Sequence, residues 1–182
     1  MKQFTGIITI ACLLVSSGCQ KNDKIRTSGE TTINSERVLE GSTYTIPGFL
    51  FSTGSVIMYN PQTSTSTPDI FVLPIVDPQG NVTGAYLDSP NILESFALVG
   101  TYGSAVEATE AFNNYTTVNV AGYSALANPV QEHQVWVFKT RNDHFAKILI
   151  LQIETYKIGQ EPNAEVRFRW VYQPDGSPTF PG

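Results

Sequence analysis

Side chains able to ligate a metal, attack a substrate or shuttle a proton are few in this sequence. It holds two histidines, His133 and His144, two cysteines, Cys12 and Cys19, and two methionines, Met1 and Met58. No G-x-S-x-G, H-E-x-x-H, C-x-x-C or G-x-x-x-x-G-K-[ST] motif is present. Serine is plentiful, but no spacing singles out a Ser–His–Asp arrangement. Asp69, Asp77, Asp88 and Glu94 fall in or beside turn-rich segments, where carboxylates are solvated or cap turns. A glycosidase needs two carboxyl groups held at a set separation, and nothing here imposes one. Asp77-Pro78-Gln79-Gly80-Asn81 lacks the closing bidentate Glu of a calcium loop, so it reads as a turn. Aromatic side chains form the richest group, with Trp136, Phe138, Phe145, Phe168, Trp170 and Tyr172 near the C-terminus. They are expected mainly in the core. Trp136, Trp170 and Tyr172 are also the candidates for an aromatic surface that takes a sugar or a porphyrin. This inventory favours binding over catalysis.

The formal charge of −5 over 182 residues leaves no basic stripe to neutralise phosphates, which argues against nucleic acid as a partner. The length suits one domain of ordinary size. At the N-terminus, Lys2 precedes an apolar run from Ile7 to Val15, then Ser16-Ser17-Gly18-Cys19. The run is shorter than the ~20 residues that span a bilayer and fits a secretory signal. Small residues ending at Cys19, followed by Gln20-Lys21-Asn22-Asp23-Lys24, resemble a bacterial lipobox, with Ser16 standing where Leu is commonest. That resemblance implies a signal peptide over 1–18 and lipidation of Cys19. Loss of Lys2 then takes the mature side-chain charge from −5 to −6. It also implies a place on the bacterial outer membrane or cell surface, held by a lipid anchor. Gln20 offers no inner-membrane retention signal of the Asp type.

The elements that must position these groups read mostly as strands. Residues 19–37 are polar and aperiodic, which predicts a flexible tether, with the β-rich domain over 38–182. Tyr44-Thr45-Ile46, Phe49-Leu50-Phe51 and Val56-Ile57-Met58-Tyr59 are short β-prone runs. Pro74 marks the run Ile70–Val76 as an edge or bulged strand, and the Asp77–Gly80 turn returns it to Val82–Leu87. Ser104 and Glu107 stand in capping-box spacing and predict one short helix near 105–113. Residues 91–99 fit a helical turn or a strand equally well. Gln134–Thr140 reads as a strand, and Phe145–Ile153 as a central strand buried on both faces. Glu165–Tyr172 alternates, with aromatic and apolar residues opposite Glu165, Arg167 and Arg169. The expected fold is a mostly-β, antiparallel single domain.

Three segments resemble the C-terminal strands of HmuY-like lipoproteins: Val135-Trp136-Val137-Phe138-Lys139-Thr140, Phe145-Ala146-Lys147-Ile148 and Phe168-Arg169-Trp170-Val171-Tyr172-Gln173-Pro174-Asp175-Gly176-Ser177. Phe49-Leu50-Phe51-Ser52-Thr53-Gly54 is a fainter similarity. The resemblance implies a lipid-anchored, non-catalytic surface protein of Gram-negative bacteria, and haem as its ligand. Family members hold haem iron with paired histidines or paired methionines, which here leaves His133, His144 and Met58 as candidates. A hairpin with His133 before one strand and His144 in the following turn separates the two by about 20 Å at ~3.3 Å per residue. Two axial donors must lie about 4 Å apart. One histidine with Met58, or a tyrosine ligand, is the remaining arrangement. The alternative to haem is a carbohydrate- or protein-binding surface module that needs no metal.

Overall fold

The structure is a computed structural model and describes residues 26–90 and 94–180. Eleven strands and one helix follow in chain order: β1 Ser28–Asn34, β2 Val38–Glu40, β3 Thr43–Leu50, β4 Ser55–Tyr59, β5 Phe71–Val76, β6 Val82–Asp88, β7 Phe96–Thr101, α1 Ala105–Asn114, β8 Leu126–Val130, β9 Gln134–Lys139, β10 Phe145–Ile158 and β11 Glu161–Gln173. All pairings are antiparallel, and the domain is mostly β as expected.

The principal sheet runs β1-β11-β10-β9-β7, and two three-stranded sheets, β2-β3-β4 and β5-β6-β8, pair separately. A bridge between Phe49 and Ile70 ties the two smaller sheets at their junction. Strands β5 and β6 pack over β10 and β11, which makes a second layer across the main core. Alternation along the strands decides which face each side chain takes. Trp136, Phe138, Ile148, Ile150, Phe168 and Trp170 point into the space between layers, where they meet Phe49, Phe51 and Leu87. Phe49 stacks edge-on against Phe168 at 5.5 Å and against Phe51 at 5.0 Å, geometry that adds attraction beyond area burial. The opposite face of β9 and β10 carries Val135 and Leu149, covered by Ala108 and Phe112 of α1. Strand β10 is therefore buried on both faces over Ala146–Ile150, and it continues to Ile158 as a long hairpin arm.

Local signals match the elements they announce. Ser104 Oγ accepts from Glu107 N at 3.2 Å, and Gly103 N donates to Glu107 Oε2 at 3.0 Å, so the capping pair starts α1. Asp77 Oδ1 accepts from the backbone N–H groups of Gln79 and Asn81, which closes the β5–β6 turn. Pro74 lies on an outer strand of its sheet, where its missing N–H costs no ladder bond. Residues 96–101 form strand β7, which settles the open alternative for that part of the 91–99 segment.

The tether expectation needs correction. Ser28–Asn34 is an edge strand that pairs with β11 from Ser28↔Val171 to Asn34↔Glu165. Composition misled because only Ile33 in this strand is buried. Its stabilisation comes from the ladder and from charge: Glu30 accepts from Arg167 Nη2 at 2.8 Å and from Arg169 Nη2 at 2.7 Å. The charged face of β11 thus recruits a polar strand.

Candidate functional site

The two histidines stand at opposite ends of an intact hairpin. Strands β9 and β10 pair from Phe145↔Lys139 to Leu149↔Val135, so the rings are about 20 Å apart along the strands. One iron cannot bridge them. His133 enters β9 with a left-handed φ of 67°, donating from its N–H to Ile150 O at 3.0 Å. Its own carbonyl accepts from Tyr102 N at 3.2 Å, which brings part-exposed Tyr102 beside it. His144 ends the β9–β10 turn; Thr140 Oγ1 accepts from its N–H at 3.1 Å. Met58 lies on β4, an outer strand, 49% exposed and opposite Pro47. Cys19 lies outside the described residues.

The proposed aromatic surface also needs correction. Trp136, Trp170 and Tyr172 are all buried, at 7%, 1% and 5% exposure. Each stands on the inward row of its strand, so the sheet interior claims them before any ligand can. Trp136 Nε1 donates to Gln134 Oε1 at 3.0 Å, and Trp170 packs against Phe49 and Phe51. No exposed platform is formed by these three rings.

Of the nominated residues the structure joins only His144 and Tyr172, whose Nδ1 and Oη lie 2.9 Å apart in a hydrogen bond. Tyr172 in turn opens on a cleft of about 220 Å³ together with Ser52, Asp69, Ser89, Thr140 and Arg141. Asp69 is its chemical centre, and its position is built by backbone. Asp69 N and Ile70 N both donate to Phe49 O, while Phe49 N donates to Ile70 O. Phe51 N donates to Asp69 Oδ2 at 2.8 Å. Gly48 permits this close packing, because a Cβ there would stand 2.6 Å from side-chain atoms of Pro68 and Phe71. Oδ1 of Asp69 accepts no hydrogen bond among the described residues. Burial pushes the carboxyl up to about 6, against the opposing pull of the Phe51 N–H and the Arg141 charge. Tyr172 is held above its ordinary value by burial and then by the Asp69 charge, so it stays a phenol. The cleft therefore presents a carboxylate acceptor, several hydroxyls and a guanidinium.

By sequence Asp69 reads like Asp77, as a loop acid that is solvated or caps a turn. The signal that separates it from Asp77 is tertiary: Asp77 spends its oxygens on its own turn, whereas the Asp69 carboxylate is held by the Phe51 N–H, 18 residues away in the turn that follows β3. Asp88 is likewise raised by burial. Among the described residues no group of three or more His, Cys, Asp or Glu side chains could hold a metal ion. Further clefts open among the described residues. One, of about 340 Å³, has Arg37, Leu39, Tyr44, Leu73, Ile158 and Pro162 in its walls. The second, of about 380 Å³, lies at the end of α1 beside Lys147. None of the three is walled by His133, His144 or Met58. No helix among the described residues is long and apolar enough to cross a membrane. Against models of known protein families, and against curated proteins, the chain has no match.

Proposed function

We propose that this chain is a non-catalytic binding module of the bacterial envelope, anchored through Cys19, that holds a small hydroxyl-bearing ligand in the Asp69 cleft. A sugar at the end of a glycan has the matching chemistry. The observation that carries this reading is Asp69: a part-buried carboxyl with one oxygen fixed by Phe51 and the other open for a ligand donor. Ser52, Thr140 and Arg141 supply complementary groups around it. The volume is below the ~300–1,000 Å³ of drug-sized pockets, which suits one sugar ring and excludes a porphyrin. Recognition rests on hydrogen bonds, since the aromatic rings are buried.

The test is calorimetric titration of the full chain in neutral detergent with mannose, N-acetylglucosamine and glucuronate, beside Asp69→Asn and Arg141→Ala. Saturable heat that is lost in Asp69→Asn supports the reading. Absence of binding by all three sugars, or full retention of binding in Asp69→Asn, overturns it.

Haem is the second reading, favoured by the HmuY-like segments and by one observation. Tyr102 and His133 are neighbours through the 3.2 Å backbone bond, and both are part-exposed. Tyr172 is a poorer ligand because it is buried and bonded to His144. A haemin titration followed in the Soret region decides the matter. A one-to-one shift abolished in His133→Ala and Tyr102→Phe supports capture at that corner. A spectrum unchanged from free haemin removes haem from consideration.

A further inference from the structure

Lys147 occupies an unusual place for a lysine. It lies mid-strand in β10, only 4% exposed, on the face covered by α1. Its Nζ donates to Phe112 O at 2.7 Å and to Tyr115 O at 2.9 Å. These carbonyls belong to the last turn of α1, which carries no basic residue of its own, so the ammonium serves the negative end of the helix. That accounts for two of its three N–H groups. The third has no hydrogen-bond acceptor among the described residues; the rings of Phe112 and Phe180 lie 4.7 and 5.4 Å from Nζ. No carboxylate among the described residues forms an ion pair with Lys147.

The space beside it is a cleft of about 380 Å³. Its walls are Thr27, Ser28, Phe112, Asn113, Thr116, Lys147 and Val171, with no acidic residue among them. Thr27, Ser28, Asn113 and Thr116 supply donors, and Phe112 and Val171 supply an apolar wall. The volume falls within the ~300–1,000 Å³ of small-molecule sites. A buried cation without a counter-charge is costly, and a paired one far less so. Burial holds Lys147 below the ordinary lysine range.

We propose that the cleft between the end of α1, the start of β1 and β11 is a binding site for a small organic monocarboxylate. Its carboxylate meets the Lys147 ammonium and the hydroxyl and amide donors of the rim, and its apolar body lies on Phe112 and Val171. The site is separate from the Asp69 cleft and does not depend on what that cleft holds.

The probe is benzoate, with benzyl alcohol as its uncharged counterpart, added to the full chain in neutral detergent. The readout is the NMR signal of 13Cε-labelled lysine. Lys147→Met identifies the resonance, but it also strips two carbonyls of their donor and can unfold the end of α1. Thr116→Trp therefore serves as the second variant, because it fills the rim and leaves both Lys147 bonds in place. The expected result is a saturable shift of the Lys147 signal with benzoate, an upward move of its titration midpoint, and affinity reduced more than about tenfold in Thr116→Trp, a loss of ~1.4 kcal/mol. An equal response to benzyl alcohol, no response to benzoate, or undiminished affinity in Thr116→Trp would overturn the proposal and leave Lys147 as a helix cap only.

Discussion

Replacing Asp69 by Asn is expected to stabilise the protein at neutral pH, and the magnitude follows from where the carboxyl sits. The native carboxyl titrates near 6 against an ordinary value of 3.8. At 1.36 kcal/mol per pH unit, the ionised form costs the fold up to about 3 kcal/mol. Asp69 borders an open cleft, so solvent takes part of this, and about 2 kcal/mol is a fair expectation. The sign follows from proton counts. Between about pH 4 and 6 the native state keeps a proton that the unfolded chain has released, so stability falls as pH rises. Below about pH 3 both states are protonated and the cost vanishes; above about pH 7 it is fully present. Asparagine is neutral throughout and keeps an oxygen for the Phe51 N–H. Urea unfolding of wild type and Asp69→Asn at pH 4 and pH 7.5 isolates the effect, because other acids cancel in the difference. The variant should come within about 0.5 kcal/mol of wild type at pH 4 and exceed it by about 2 kcal/mol at pH 7.5, or roughly 4–8 °C in midpoint for a domain of this size. Wild type being the more stable at pH 7.5 would refute the reasoning, since it would mean that Arg141 and the Phe51 N–H hold the anion more strongly than burial disfavours it.

Further outcomes follow from single contacts. Trp170→Ala should cost about 3–5 kcal/mol by chemical denaturation, because the ring is 1% exposed between Phe49 and Phe51. Gly48→Ala should cost about 1–3 kcal/mol and loosen the Asp69 segment, read as the loss of sugar binding along with the drop in midpoint. Ser104→Ala removes the cap of α1 and should cost about 1 kcal/mol. Glu30 is held below its ordinary value, first by its hydrogen bond to Arg169. Its stabilisation is present above the unfolded value of 4.5 and is lost as pH falls through the lower native one. Glu30→Gln should therefore cost under about 1 kcal/mol at pH 7 and nothing in strong acid; hydrogen exchange of the β1 amides reports the loss.

What the chain alone determined is whatever depends on neighbours in sequence. Alternation in Glu165–Tyr172 assigned the faces of β11, the S-x-x-E spacing started α1, and Asp77–Gly80 closed its hairpin, because strand pleat, helix caps and turns are decided within a few residues. The largely apolar character of Phe145–Ile153, interrupted only by Lys147 and Gln152, likewise announced a strand covered on both sides, which holds over Ala146–Ile150. Tertiary structure decided what those neighbours do not contain. A polar stretch became β1 because Arg167 and Arg169, more than 130 residues later, offered Glu30 a charged row and a free ladder. Trp136, Trp170 and Tyr172 went inward because a second sheet closes over them. Asp69 became the centre of a cleft, and Lys147 the cap of a helix, through contacts with a turn and a helix 18 and 35 residues away. Burial and hydrogen-bond partners are properties of the packed layers, so a side chain's electrostatics become legible only when the layers meet.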